Sequence, residues 1–336
     1  MTSTPHQYID RRTGNVRTER LFGDGLVGFL YSRIRENAPR MFRLLTSRSS
    51  SSLIGYLQYE SILGARMRSN RTWMRAWGVN PDECLDPIDQ LDTPGKLFSR
   101  KLRYHEYRPM PNGSGVVVSP CDSRVMLGSF RETSMLCLKD KFFDFEELFG
   151  PAGTSWRKAF ESGDFAIFRL TPDMYHYNHA PVSGQVMDYY ELTGDYHSCN
   201  PSAVLELVTP YSKNKRTVTI IDTDVPDGTG VGLVAMIEVV ALMIGRIVQC
   251  YSAVNYDDPQ PIRPRMFLAK GQPKSCFLPG SSTVVLVFQP DRVQFDDDLL
   301  INQYRAGVTS RLSLGFGQPL VETELRVRSS IARAND

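Results

Sequence analysis

The sequence predicts an α+β fold, in which a helical, basic N-terminal part packs on a mainly antiparallel, β-rich body. Its apolar content of 41% and charged content of 23% are those of a folded globular protein. From Gly115 onward, short runs of Val, Ile, Leu and Tyr alternate with turns of Gly, Pro, Asp and Asn, which is typical of a compact β body. Before that point, broad apolar faces interleaved with arginines indicate helices.

Three regions follow from this division. Residues 1–18 are polar and are expected to form a mobile N-terminus. Residues 19–112 are expected to be a helical, membrane-facing region and its connection, with a serine loop at 46–52 and a short helix around Leu97. Residues 113–336 are expected to be the β-rich catalytic domain.

The charge is distributed unevenly along the chain. Residues 1–75 hold thirteen arginines and five acids, a net charge of +8, whereas the rest of the chain carries −6. A basic amphipathic segment on an acidic body favours an anionic surface as partner, and the interleaved apolar residues favour lipid over nucleic acid. We therefore expect a peripheral membrane protein that faces the cytosol and does not bind nucleic acid. The alternative is a helix that packs on its own domain with solvated arginines.

The β-rich region contains seven candidate strands, and one of its apolar runs is long enough to raise the question of a membrane span. The candidate strands are 115–119, 165–170, 185–192, 203–209, 216–221, 231–248 and 283–288, with helical breaks around 143–149 and 155–161. Glu238 lies near the centre of the run 231–248, and a charge at the bilayer centre is costly. We therefore predict two buried strands joined by a bend and no transmembrane segment.

Six cysteines are scattered along the chain without any C-x-x-C pair. Neither a zinc knuckle nor a disulfide framework is indicated, and reduced thiols are the default.

A serine pair stands between a turn and an apolar strand. Ser281 and Ser282 follow Pro279-Gly280 and precede the run 283–288. A tight turn can strain the peptide bond before a hydroxyl that a strand holds rigidly, which is the layout of a self-cleaving serine. Taken alone, the pair favours an ordinary turn into a buried strand, since a Ser-Thr pair entering a strand is common.

Other segments accompany this pair and change its interpretation. They are Val116–Met126 with Asp122, Leu170–Gly184 with His176 and His179, Gly95–Leu102 followed by Arg108-Pro109, Gly232–Glu238, and Phe295–Leu300. Together, and in the order in which they follow one another along the chain, they resemble the signature segments of the phosphatidylserine decarboxylase family, a family of self-processing, pyruvoyl-dependent proenzymes. The resemblance runs from about residue 20 to the C-terminus.

The resemblance implies a site and a reaction. Ser282 would be the nucleophile of self-cleavage, His179 its base, and Asp122 the carboxylate that orients the imidazole. Cleavage would leave a β chain ending at residue 281 and an α chain, 282–336, that begins with a pyruvoyl group derived from Ser282. That group would form a Schiff base with phosphatidylserine and release CO2 and phosphatidylethanolamine, with His176 delivering a proton.

Three departures and alternatives remain open. The residue before the cleaving serine is usually glycine in the family but is Ser281 here, so the cut could instead fall between Gly280 and Ser281. Tyr177 replaces an arginine after the first histidine. His197 is a candidate for substrate binding, for which an ordinary β-turn is the alternative.

Metal binding by the two histidines of the His-x-x-His pair is not favoured, because the neighbouring Pro172 and Pro181 argue against a helix. We expect no metal, and we expect the protein to form a homo-oligomer. Two alternative functions are the same chemistry on a free amino acid, and a catalytically silent relative that binds a membrane surface.

Overall fold

The computed structural model describes residues 4–21, 70–131, 144–206, 210–241, 246–280 and 282–335. The strands in these ranges are β1 Gln7–Asp10, β2 Asn15–Thr18, β3 Val116–Val118, β4 Ser123–Ser129, β5 Asp164–Leu170, β6 Tyr177–His179, β7 Gly184–Leu192, β8 Arg216–Asp222, β9 Leu233–Val240, β10 Ile247–Gln249, β11 Phe267–Leu268, β12 Pro273–Phe277, β13 Ser282–Phe288, β14 Val293–Phe295, β15 Thr323–Leu325 and β16 Ser330–Ala334. The α-helices are α1 Asn70–Ala76, α2 Pro94–Phe98, α3 Tyr104–Tyr107, α4 Phe145–Phe149, α5 Thr154–Phe160, α6 Pro201–Glu206, α7 Pro210–Lys213, α8 Asp297–Gln303 and α9 Arg311–Phe316.

A ten-stranded sheet organises the described part of the chain. Its strand order is β11-β7-β8-β9-β13-β5-β4-β15-β1-β2, and every pairing in it is antiparallel except that of β1 with β15. Two three-stranded sheets, β10-β12-β6 and β14-β16-β3, accompany it. The predicted α+β class with mainly antiparallel sheets is confirmed.

Strand β13 lies inside the large sheet and faces two cores. Its successive side chains point to opposite faces of the sheet, as in any β-strand. Val284 and Leu286 belong to a core that includes residues of the two small sheets, such as Phe277 and Ile331. Val285 belongs to a second core, which α4, α5, α6 and α9 cover from the other side. The sheet is therefore buried on both faces along β13.

Most of the predicted strands are found, with one exception. We predicted a strand at 203–209, but the structure has helix α6, Pro201–Glu206. Pro201 occupies the first helical position, where its missing N–H costs nothing, and the amide of Val204 donates to the carbonyl of Asn200. Ala203 and Val204 are buried, and the burial of such a short apolar run is as compatible with a helix as with a strand.

The N-terminal segment is more ordered than the sequence suggested. We predicted that residues 1–18 are mobile, yet β1 and β2 form a hairpin and β1 joins β15 near the C-terminus. His6 and Ile9 are fully buried there. The partner strand lies about three hundred positions away in sequence, so no local sequence pattern could predict this pairing. Most of the predicted helical region, from residue 22 to 69, falls outside the described residues.

The apolar run 231–248 supplies two strands of different sheets. Its first part is β9 in the large sheet and its last part is β10 in a small one. Within the described ranges, no helix is long and apolar enough to cross a membrane.

Candidate active site

Ser282 is the first residue of β13 and lies between Leu170 of β5 and Val240 of β9. The residue is 1% exposed, and its Oγ has no hydrogen-bond partner among the described residues. The chain enters the strand through Gly280, whose φ of 150° favours glycine. Ser281 lies outside the described residues, so both cleavage registers stay open.

Strand alternation indicates which face of the sheet Ser282 occupies. Val284, two residues along, packs in the same core as Cys121 and Ala180. These two residues are the immediate neighbours of Asp122 and His179. The three segments that the sequence singled out therefore meet on one face of the large sheet. The amide of His179 also donates to the carbonyl of Pro120, 2.7 Å away, which ties β6 to the Asp122 segment.

His179 is held at both ring nitrogens. Its Nδ1 lies 2.9 Å from the carbonyl oxygen of Gly271, which can only accept, so Nδ1 carries the proton. Its Nε2 then accepts from the hydroxyl of Tyr175 at 2.9 Å. Burial lowers the pKa of His179 to about 3, and the Gly271 carbonyl offsets this effect only in part. The imidazole is therefore neutral at physiological pH.

Two tyrosines complete this arrangement, and the sequence analysis did not find them. The hydroxyls of Tyr175 and Tyr256 are 2.7 Å apart, and the Tyr256 hydroxyl also contacts the backbone of Leu102. Burial, and then the neighbouring Tyr256, raise the pKa of Tyr175 well above its usual value, so its hydroxyl stays protonated. Tyr175 stands in the same segment as the histidines, but nothing in the sequence links it to Tyr256.

Asp122 is bound by a different partner from the one we predicted. Arg108 binds its carboxylate through Nε at 3.0 Å and NH2 at 2.7 Å, and the amide of Val327 donates at 2.8 Å. Burial raises the pKa of Asp122, but Arg108 and the amide outweigh it and the pKa is lowered. No hydrogen bond joins Asp122 to His179 here; the Gly271 carbonyl fixes the tautomer instead. The charge of Asp122 acts on His179 only as a small influence that raises its pKa.

His176 is fully buried against an aromatic ring. Its imidazole stacks on Phe98, with ring centroids 3.6 Å apart. Neither ring nitrogen has a hydrogen-bond partner among the described residues. Burial, and then the charge of Arg100, lower the pKa of His176 well below its usual value, and the backbone of Met174 and the charge of Asp122 offset this only in part. A neutral imidazole whose N–H and lone pair have no partner among the described residues can exchange a proton with a bound ligand.

The loop that carries His197 lies beside the start of β13. The amide of His197 donates to Asn214, whose side chain in turn donates to the carbonyl of Val240, the cross-strand neighbour of Ser282. Cys199 in the same loop accepts from the hydroxyl of Thr283 at 3.1 Å. The loop thus borders the serine, while a contact of the His197 side chain with a substrate stays a prediction.

A buried ionic network lies next to β6. Glu238 of β9 pairs with Lys274 of β12 at 2.8 Å, and both side chains are 0% exposed. The same carboxylate accepts hydrogen bonds from Asn178, the residue before His179, and from Thr217 and other neighbours. The network therefore fastens β6 to the large sheet.

One cluster in the described residues has the composition of a metal site. Nitrogen or oxygen atoms of His6, Glu19 and Glu322 lie within 4.8 Å of one another. Arg169 already binds both carboxylates, at 2.7 Å from Glu19 and 2.5 Å from Glu322. This cluster is satisfied as an ion-pair network, and it contains none of the predicted site residues.

The comparisons with known proteins agree with the predicted class of enzyme. Residues 95–315 match the family model described as phosphatidylserine decarboxylase. The protein named phosphatidylserine decarboxylase proenzyme in Chlamydia pneumoniae is 31% identical, over 92% of this chain and 95% of the relative. Proteins of the same name in Fusobacterium nucleatum and Clostridium tetani are 27% and 26% identical, over 92% of this chain and 95% and 96% of theirs.

These matches define the class of enzyme, a carboxy-lyase. The chain belongs to the phosphatidylserine decarboxylase family. The predicted family and enzyme class are thereby confirmed.

Proposed function

We propose that this protein is a proenzyme that cleaves itself before Ser282 and then converts phosphatidylserine to phosphatidylethanolamine and CO2. The observation that carries the proposal is the state of Ser282, whose buried hydroxyl at the start of an internal strand has no hydrogen-bond partner in the part of the chain that the structure describes. An unpaired buried hydroxyl costs free energy, so its retention suggests a functional reason. The relatives' printed name, proenzyme, supports the same conclusion.

Self-cleavage would begin with attack of the Ser282 Oγ on the carbonyl carbon of residue 281. The acyl group moves from nitrogen to oxygen, elimination then breaks the Cβ–O bond, and water displaces the nitrogen as ammonia to leave a keto group. Gly280 supports this step, because its φ of 150° lets the chain turn sharply just before the scissile bond.

His179 would accept the proton of the Ser282 hydroxyl. It is neutral, and Nε2 carries its free lone pair, because Nδ1 donates to Gly271. Tyr175 occupies that lone pair in the uncut chain, so its hydroxyl must turn away before the base can act. The negative charge of Asp122 favours the imidazolium that then forms.

The site fits a pyruvoyl group, because Ser282 is buried at the start of β13, where its Cα would become the keto carbon while its Oγ leaves with the carboxyl end of residue 281. Such a group supplies a carbonyl that condenses with the substrate's amine and accepts electrons as the carboxylate leaves as CO2. His176, which is neutral in the resting site, would take up a proton and deliver it to the product carbon, because no group among the described residues is bound to its ring nitrogens.

An anionic bilayer is the proposed surface on which the enzyme works. The support is the basic, apolar-rich segment of residues 1–75, of which 22–69 lie outside the described residues. Each basic residue near such a surface contributes roughly 1 kcal/mol to binding.

The mass of the expressed protein tests the cleavage. We expect two chains, residues 1–281 and 282–336, the second without a free amine and with a keto terminus. Ser282→Ala should remain one chain. Ser281→Ala is the matched control, since it should still be cut; if it is uncut while Ser282→Ala is processed, the cleavage lies one residue earlier.

The substrate is tested separately on the cleaved protein. We expect CO2 release from vesicles that contain phosphatidylserine. Release from free serine or an aromatic amino acid without vesicles would favour the alternative substrate class. An intact chain with no activity on either would favour a silent surface-binding relative.

A further inference from the structure

A cavity of about 400 Å³ opens beside Asp122. It is built by both sides of the proposed cut, and its size lies in the range of small-molecule sites. The residues of its wall that matter here are Arg100, Arg108, Asp122, Met174, Glu324 and Arg326.

Most charged groups at this cavity already have a partner. Arg108 pairs with Asp122 at 2.7 Å and with Glu83 at 2.9 Å. Glu324 is 3.2 Å from Arg124. Because these acids and bases neutralise one another, they do not require a charged ligand.

Arg100 differs from these groups. It is 5% exposed, and NH1 and NH2 donate to the carbonyls of Leu97 and Asp173, at 3.0 and 2.9 Å. Within the described ranges, its Nε has no hydrogen-bond partner and no carboxylate lies in ion-pair distance of its guanidinium. Asp122 and Asp173 act on Arg100 only at longer range, and a buried positive charge without a directly bound carboxylate is costly and matches an anionic ligand.

Arg100 is also linked to the proposed proton donor. Its charge is one of the two influences that lower the pKa of His176, the other and larger one being burial. Phe98, which stacks on His176, is separated from Arg100 by a single residue. An anion on Arg100 would offset its charge and bring the imidazole closer to its usual basicity, just when a substrate is present.

We propose that this cavity binds an oxyanion of the substrate headgroup and that Arg100 is the residue that recognises it. The inference rests on the proposed function, because it takes the headgroup of an aminophospholipid as the ligand. A carboxylate and a phosphodiester offer the same chemistry to a guanidinium, and the experiment separates them.

Binding is measured on full-length Ser282→Ala, which cannot form the cofactor, so that the result does not depend on activity. Glycerophosphoserine carries both anions, glycerophosphoethanolamine only the phosphodiester, and L-serine only the carboxylate. We expect glycerophosphoserine to bind, and Arg100→Gln in this background to weaken it by about tenfold or more, as for other charge-assisted hydrogen bonds. Whichever single-anion compound shares this loss identifies the group that Arg100 contacts.

Arg216→Gln is the matched control. Arg216 is 4% exposed and likewise donates only to backbone carbonyls, those of Leu148, Asn214 and Glu147, but all three of its nitrogens are satisfied and it does not line the cavity. If Arg100→Gln does not fold, Arg100→Lys replaces it, since lysine keeps the charge and loses Nε; it should still weaken binding.

Three results would overturn the inference: no binding of glycerophosphoserine to Ser282→Ala, unchanged binding in the Arg100 variant, or an equal loss in the Arg216 variant. A rise in the pKa of His176 on ligand binding, followed by NMR, is expected only with Arg100 in place. Failure of the proposed function is seen elsewhere, in an uncut mass of the unmodified chain, and the two failures are therefore distinguishable.

Discussion

Tyr175→Phe tests how His179 is restrained in the uncut chain. The Tyr175 hydroxyl lies 2.9 Å from His179 Nε2 and 2.7 Å from the hydroxyl of Tyr256. It therefore occupies the lone pair that the base needs in order to take the proton of Ser282. Phenylalanine keeps the ring and removes the competing donor, so we expect self-cleavage to become faster.

The size of the effect follows from one hydrogen bond. The net worth of such a bond is about 0.5–1.5 kcal/mol, which corresponds to a rate increase of roughly two- to thirteenfold. The same change leaves His179 Nε2 and the Tyr256 hydroxyl buried with one partner fewer. We therefore expect the free energy of unfolding to fall by about 1–3 kcal/mol.

The rate is measured as the appearance of fragment 282–336 by mass spectrometry after synthesis in a cell-free system. Stability is measured by denaturant unfolding of the uncut Ser282→Ala chain with and without the Tyr175 substitution. Tyr104→Phe is the control, because that ring lies 4.8 Å from His179, edge to face, while its hydroxyl binds Gln272. Slower cleavage in Tyr175→Phe, or an equal acceleration in Tyr104→Phe, would refute the reasoning.

Three further predictions concern the buried polar groups. Lys274→Met should lower the free energy of unfolding by about 3–5 kcal/mol, because Glu238 is left as an unpaired buried charge. Adding Glu238→Gln to this variant should recover part of the lost stability, and the midpoints of denaturant unfolding measure both changes. His176 and His179 are neutral in the folded protein but become protonated below about pH 6.5 in the unfolded chain. The free energy of unfolding is therefore at its full value above that pH, and below it each histidine lowers this free energy by up to about 1.4 kcal/mol per pH unit. A melting temperature that stays constant from pH 7 to 5 would contradict this prediction. Gly271→Ala, at a φ of 76° and with its Cβ 2.6 Å from a sulfur atom, should displace the carbonyl that binds His179 and slow cleavage, whereas an unchanged rate would show that this carbonyl is dispensable.

The strands, and the position of Ser282 at the start of one of them, could be predicted because their signals are local. The alternation and the turn residues around 164–170 and 282–288 act within a few positions, and the structure has β5 and β13 there. The helix at 201–206 was missed for a related reason. A short apolar run after a proline is compatible with the periodicity of a helix and with that of a strand, so the residues that pack against it determine which of the two forms.

The partners of the site residues could not be predicted in the same way. Asp122 accepts hydrogen bonds from Arg108. His179 donates a hydrogen bond to the carbonyl of Gly271, which lies ninety-two positions away in sequence. A motif gives the identity of a functional group, whereas its hydrogen bonds depend on which distant segments the sheets bring together. The Arg108-Pro109 segment was noticed in the sequence, but only the fold shows that it binds the aspartate.

The position of the proposed cut explains how the two chains would stay together. Cleavage before Ser282 places the new chain end at the start of β13, which hydrogen-bonds β5 on one side and β9 on the other over seven residues each. The same C-terminal segment also supplies β15, which lies between β4 and β1, and the ion pair of Glu322 with Arg169. Breaking one peptide bond leaves all these contacts in place, so the end of the shorter chain remains fixed by its neighbours. A reactive group formed at that end would therefore be held inside the sheet without any rearrangement of the core.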